Sequence, residues 1–321
     1  MSDTPRLFPL SDQPAFIQLM VSAIVILFIG ILFLVIFIFS GVLIFNVSLD
    51  HILMTGEGEV TGQGQIIFKY LQAVQTVSLF ILPPLVISIL MTNGRGNWLL
   101  LKNKPTFISI LLVTCLAILL IPITSSAGLF NSGMELPSWL SGIESWMQEK
   151  EEIASYLTGV LIEAETIPVL LLNLFIIAVL PALGEEFLFR GVLQQIFQKM
   201  FRSGHFAVWI TAIIFSSIHL QFYGFLPRLI LGLVFGYLFY WGRSMWLPVT
   251  AHFINNAIPV VASYFLGWSQ TNNKVEELAE TSTFLILGAA VGCIVIMLYF
   301  WNNYNSLSKT YSRPLGGDVT E

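Results

Sequence analysis

Residues 16–47 read FIQLMVSAIVILFIGILFLVIFIFSGVLIFNV, 32 consecutive positions without one Asp, Glu, Lys or Arg. An α-helix needs about 20 apolar residues to cross hydrocarbon, so this run is long enough to span a bilayer by itself. It far exceeds the apolar core of a secretory signal, about 7–15 residues, and reads as a retained first transmembrane helix. The rest of the 321-residue chain follows suit. Mean hydropathy is +0.82 and 10% of residues are charged, against about 25% in a soluble domain. No water-soluble core absorbs that much apolar sequence, so the bilayer is the main solvent.

Working outward from the first run, apolar segments of spanning length recur over roughly 18–46, 70–91, 106–123, 167–190, 205–221, 225–241, 246–266 and 283–301. The expected fold is all-α: a polytopic membrane helical bundle of about eight transmembrane helices. With the N-terminus inside, the inner segments hold Arg6, Arg95, Lys102, Lys104, Lys199, Arg202, Arg243, Lys309 and Arg313, and the outer ones only Lys69, Lys150 and Lys274. The positive-inside rule therefore gives N-in, C-in, in a multi-pass protein of a bacterial-type plasma membrane. The chain ends Gly317-Asp318-Val319-Thr320-Glu321, which is not a prenylation box. Cys115 and Cys293 sit inside apolar runs and read as small buried hydrophobes. The net charge of −5 and the lack of a basic stripe exclude nucleic acid as a partner. Membrane lipids and a membrane-associated protein or peptide are the expected partners.

The long outer loop, 124–166, places Trp139, Leu140, Ile143, Trp146, Met147 and Ile153 at helical spacing, with acidic residues between them. It reads as an amphipathic helix on the outer surface, either a plain cover or a substrate gate. Gly232 and Gly236 form a small-xxx-small pair for close packing inside the bundle.

Ionisable groups inside spans cost several kcal/mol and mark function by default. The list is short: Glu185, Glu186, Arg190, His219, Arg228 and His252, with Asn255 and Asn256 as polar companions. Glu186 and Arg190 are i,i+4 with the acid first, the favourable order for a helical ion pair. Glu185 points about 100° away from its neighbour and is left as the free carboxylate, suited to act as a general base. His252 and Asn256 share a helix face; Asn256 is placed to orient the imidazole or to donate to an oxyanion. Helix-rise counting from the turn at 199–205 puts Glu185 and His219 at one level, roughly 23–28 Å up. His252 joins that level if the hairpin at 194–205 projects past the inner membrane face. Pro181 and Gly184 argue the other way, because either can break the helix carrying Glu185.

A carboxylate, two imidazoles and an amide in a dry pocket suit the activation of water for attack on a carbonyl. Glu185, His219 and His252 also make a possible zinc set with an open position. A metal-free site is preferred, since the three come from separate helices without a His-Glu-x-x-His run. No serine or cysteine stands beside them as a nucleophile. A proton-coupled transporter uses the same residue types, but no duplicated halves are evident.

Three motifs occur in order on successive apolar helices: Glu185-Glu186-x-x-x-Arg190, Phe215-x-x-x-His219 and His252-x-x-x-Asn256. This arrangement resembles the CPBP family, the CAAX prenyl protease type 2 and bacteriocin-processing (Abi) group of intramembrane endopeptidases. The resemblance covers roughly residues 167–266. It implies that Glu185, His219, His252 and Asn256 form the catalytic set and that Glu186 and Arg190 complete the first motif. The family includes prenyl-protein endopeptidases, members tied to bacteriocin self-immunity and members proposed as non-catalytic scaffolds. It has been described both as metalloprotease and as glutamate-dependent protease. The chain is thus expected to divide into N-terminal helices with the outer loop (1–165), a catalytic helical core (166–270) and a last helix with a cytoplasmic tail (271–321).

Overall fold

The computed structural model describes residues 9–55, 60, 62–94, 96–134, 136–279 and 283–311. The expectations attached to Arg6, Arg95, Arg313 and the terminal Gly317–Glu321 stretch lie outside these residues, as does the Lys309 side chain. The described residues are helical with no strand. We number ten helices: α1 Ala15–Phe45, α2 Gln63–Thr92, α3 Phe107–Ser132, α4 Ser141–Ile162, α5 Ile167–Phe201, α6 Gly204–Ser217, α7 Phe225–Gly242, α8 Trp246–Leu266, α9 Trp268–Ala279 and α10 Thr283–Tyr311. Seven of them, α1, α2, α3, α5, α7, α8 and α10, are long and apolar enough to cross a membrane. The protein is an integral multi-pass membrane protein built as a helical bundle.

The eighth expected span, 205–221, is the difference. The helix there, α6, has 14 residues, about 21 Å of rise. It stops early because the following turn is pinned from outside. The Ser216 hydroxyl donates to the Phe225 carbonyl (2.6 Å). On α3, Asn131 donates to the Phe222 carbonyl and accepts from the Leu226 amide. The turn's polar backbone groups are thus satisfied without further helix.

The apolar core gathers Val113, Leu116, Leu231, Phe235, Leu247 and Ile296 from α3, α7, α8 and α10. Large side chains on the outer faces, such as Leu43 and Phe107, are more than 80% exposed, as lipid-facing positions require. Cys293 is buried as expected. Cys115 is not: it sits on the exposed side of α3, where an apolar thiol faces lipid as readily as core.

The segments assigned to the inner side meet at one end of the bundle. Lys199 donates to the Ser11 and Gln13 carbonyls, and Asn103 donates to the Arg243 carbonyl. The outer-assigned segments meet at the other end, where Lys69 donates to the Glu163 carbonyl. The amphipathic helix expected in the long outer loop is α4. Trp146 packs on Phe222, and Trp268 fills the space beside Gly159. Sequence periodicity did not single out α9, which packs on α3 and α8.

Candidate active site

The two carboxylates lie near the middle of α5. This helix runs 35 residues without a break despite Pro181 and Gly184, because wider π turns at Leu174–Val179 and Phe187–Gln194 absorb the irregularity. Such turns recur at functional sites. Gly184 is where α2 crosses: a β-carbon there would lie 2.8 Å from Phe80 Cβ. Proline has no N–H for the carbonyl four residues back, which for Pro181 is that of Ile177. The side-chain amide of Asn256 donates to this same carbonyl (3.3 Å). A helix-disrupting residue on α5 thereby supplies an anchor for α8.

Gln195 donates to the Trp98 carbonyl in the turn between α2 and α3, so α5 continues past that level to Phe201. This brings His252, in the first third of α8, level with the carboxylates. Glu186 is wholly buried, and its Oε1 receives Arg190 Nη1 at 2.9 Å and His252 Nδ1 at 2.8 Å. The expected Glu186–Arg190 pair is present, and the orienting partner of His252 is Glu186 rather than Asn256. Because a carboxylate only accepts, His252 carries its proton on Nδ1, which leaves Nε2 as an acceptor. That Nε2 faces Glu185 Oε2 at 3.7 Å. Glu185 is the less enclosed acid, with 18% of its side chain accessible. The Phe235 ring stacks on the His252 imidazole, centroids 5.2 Å apart.

His219 follows α6 in the turn rather than within a helix. Its Nδ1 lies 2.8 Å from the Phe215 carbonyl, which fixes the same tautomer and leaves Nε2 open. The Phe215 ring touches both imidazoles, with centroids 5.2 Å from His219 and 6.2 Å from His252. Asn256 accepts from Asn255 on its Oδ1 (3.2 Å). With one N–H on Ile177, its second N–H remains for a ligand.

Sequence reasoning missed the support behind this centre. Arg190 Nη2 donates to the Gly232 carbonyl and Gln194 Nε2 to the Gly236 carbonyl, both at 3.0 Å. Phe215 and Phe235 sandwich the Arg190 guanidinium at 4.8 and 5.6 Å, a cation–π arrangement suited to a desolvated charge. The signal was present: Glu186, Arg190 and Gln194 form a polar i,i+4,i+8 stripe on an otherwise apolar helix. The glycine pair packs closely inside the bundle as expected, against Ala212 and Val208 of α6. Arg228 bonds the backbone carbonyl and side-chain oxygen of Gln221.

The zinc set does not assemble. Glu185 and His252 face one another, but among the described residues no three His, Cys, Asp or Glu side chains are grouped to hold a metal ion. His219 stands apart from the other two. The side chains in this arrangement do not fit a three-ligand ion, and no step below is routed through one.

Residues 167–258 match a family model described as type II CAAX prenyl endopeptidase Rce1-like. Among curated proteins, the uncharacterized protein YpbD of Bacillus subtilis (strain 168) is 29% identical over 90 residues, 27% of this chain and 43% of that relative. The match therefore spans less than half of the relative's length. No solved structure matches the chain. The segment bearing Glu185, Glu186, Arg190, His219, His252 and Asn256 is thus similar to a type II CAAX prenyl endopeptidase domain of the CPBP family, the family that the three motifs resemble.

Proposed function

We propose that this protein is an intramembrane endopeptidase that hydrolyses a peptide bond in a membrane-associated or lipidated protein. The observation that carries the reading is the division of labour between adjacent carboxylates. Glu186 is spent on Arg190 and His252, while Glu185 faces the open nitrogen of His252 at 3.7 Å.

Two acceptors that close together call for a shared donor, and a water placed against both directs one O–H to each. Glu185 takes the proton as the water oxygen attacks the scissile carbonyl, and later passes it to the leaving nitrogen. His252 aligns the second O–H, its own orientation fixed by Glu186. The free N–H of Asn256 steadies the developing oxyanion. The open Nε2 of His219 accepts from a substrate N–H beside the cleaved bond and holds the chain in register. The Lys/Arg bias of the loops supports a cytoplasmic position for the inner end of the bundle.

The test compares membrane-peptide proteomes of cells carrying wild type and Glu185→Ala, followed by cleavage assays of the candidate substrate in reconstituted membranes. Glu185→Ala and His219→Ala are expected to fold and to lose turnover. Normal turnover by Glu185→Ala sinks the assigned base.

A non-catalytic scaffold of the same fold is the second reading. The buried Glu186–Arg190–Gly232 linkage favours it, since it holds α5 to α7 whether or not chemistry occurs. Full biological activity in the Glu185→Ala variant selects that reading.

A further inference from the structure

A second feature of the bundle lies next to the site without belonging to it. A cavity of about 530 Å³ lies between α3, α4, α7, α8 and α9, a volume within the usual range of ligand pockets. Its walls are largely apolar, with Ile121, Leu231, Ile258 and Leu278 among them. Asn255 also lines it, and Asn255 donates to Asn256, so the cavity reaches the amide pair beside the reaction centre.

Two charged side chains line this cavity, Glu151 of α4 and Lys274 of α9. Lys274 is engaged by Glu277 at 2.7 Å. The neighbouring cation, Arg228, turns its guanidinium to Gln221. Glu151 is different: its Oε2 is buried and has no hydrogen-bond partner. A buried carboxylate oxygen without a donor is costly and calls for one. Among the described residues, no other group lining this apolar cavity is charged and without a hydrogen-bond or ion-pair partner.

We infer that this cavity binds an apolar segment of a peptide substrate, and that a lysine or arginine of that segment is held by Glu151. The inference rests on the endopeptidase reading and adds a substrate class to it. Ile121, Glu151, Lys274 and Leu278 all lie outside residues 167–258, the stretch similar to the prenyl endopeptidase family. The cavity wall is thus shared: Leu231, Asn255 and Ile258 lie within that stretch, while the selecting carboxylate, Glu151, comes from a part of the chain that the family match does not include. The outer helix α4 brings the selecting carboxylate.

The experiment uses the full chain in nanodiscs of phosphatidylcholine. The probe is a leucine-rich peptide bearing one benzophenone residue and one lysine. It is compared with peptides carrying leucine or glutamate in place of the lysine. Irradiation is expected to crosslink the lysine peptide to residues of α3, α8 or α9 that line the cavity, at least ten-fold more than the glutamate peptide. Glu151→Lys should reverse that preference. Ala262→Trp, which fills the chamber and leaves Glu151 in place, should remove crosslinking of every peptide. Gel filtration and thermal unfolding of each variant separate loss of binding from loss of fold.

Equal crosslinking of the three peptides, or an unchanged preference in Glu151→Lys, overturns the inference. So does protection of the cavity by phosphatidylethanolamine alone, which would make it a lipid site. The Glu185→Ala variant separates this inference from the reading beneath it, because it should crosslink like wild type while failing to cleave. Cleavage by that variant removes the endopeptidase reading, and absent crosslinking in wild type removes the pocket.

Discussion

The Nδ1 of His252 lies 2.8 Å from Oε1 of Glu186, the oxygen that also receives Arg190. One atom therefore joins the imidazole of α8 to the cation that α5 extends towards the Gly232 carbonyl of α7. Removing its charge leaves Arg190 buried without compensation, a loss of about 3–5 kcal/mol for a buried pair. Glu186→Gln is expected to lower the unfolding temperature in detergent and to abolish cleavage. Glu185→Gln, which leaves the Glu186–Arg190–His252 linkage in place, should abolish cleavage without lowering the unfolding temperature. Thermal unfolding of the two variants side by side checks the assignment; the opposite order would exchange the roles of the two acids.

Pro181 and Asn256 give a subtler expectation. In Pro181→Ala the restored N–H competes for the Ile177 carbonyl, to which Asn256 now donates at 3.3 Å. The helix should hold its stability or gain from the change, while the amide loses its anchor. We expect a several-fold fall in kcat, short of the ~10²–10³ lost when an oxyanion donor is removed outright, with KM little changed. In an Asn256→Ala background the same proline substitution should have no further effect on kcat. Additive losses would show that the two residues act separately.

Much of this site is legible in the sequence because hydrocarbon makes polar residues conspicuous. Glu185, Glu186, Arg190, His219, His252 and Asn256 stand out once the spans are drawn, and the i,i+4 spacing of Glu186 and Arg190 gives their pairing directly. What sequence spacing does not give is contact between helices. Helical spacing offers His252 a partner on its own helix, at Asn256, whereas the partner lies on α5 at Glu186. Apolar content continues through His219 and lengthens the span expected there, while the turn that ends α6 is set by Asn131, about 90 residues away on α3. Helix α9 escaped notice because its polar composition hides a face whose Thr271 is buried.

Gly236 tests how tightly the support is built. A β-carbon there would lie 2.8 Å from Val208 Cγ1 and 3.1 Å from Gln194 Oε1. Gly236→Ala must push α6 from α7 or displace Gln194, and overpacking of this kind costs about 1–3 kcal/mol. Trimming the opposing side chain should recover part of the loss, so Val208→Ala combined with Gly236→Ala is expected to unfold at a higher temperature than Gly236→Ala alone. A double variant no more stable than the single would place the strain on Gln194 instead.

The last expectation concerns pH and the cavity carboxylate. Burial pushes the Glu151 carboxyl above the usual carboxylate range, and the nearby Arg228 cation pulls it back only in part. Among the described residues, Arg228 of α7 is the cation beside it and Lys274 of α9 lines the same cavity; a peptide lysine, with its ordinary pKa of about 10.4, stays charged across the acid range. A cationic segment needs the ionised form of Glu151. Its capture should therefore be complete at high pH and fall as pH drops through the Glu151 pKa, at a midpoint above that of an exposed glutamate. Crosslinking of the lysine peptide, followed from neutral to acid pH, gives that midpoint. Arg228→Gln removes the cation that favours ionisation and should move the midpoint higher, while in Glu151→Gln the residual yield should not vary with pH. A midpoint that Arg228→Gln leaves in place would mean that another acid controls entry to the cavity.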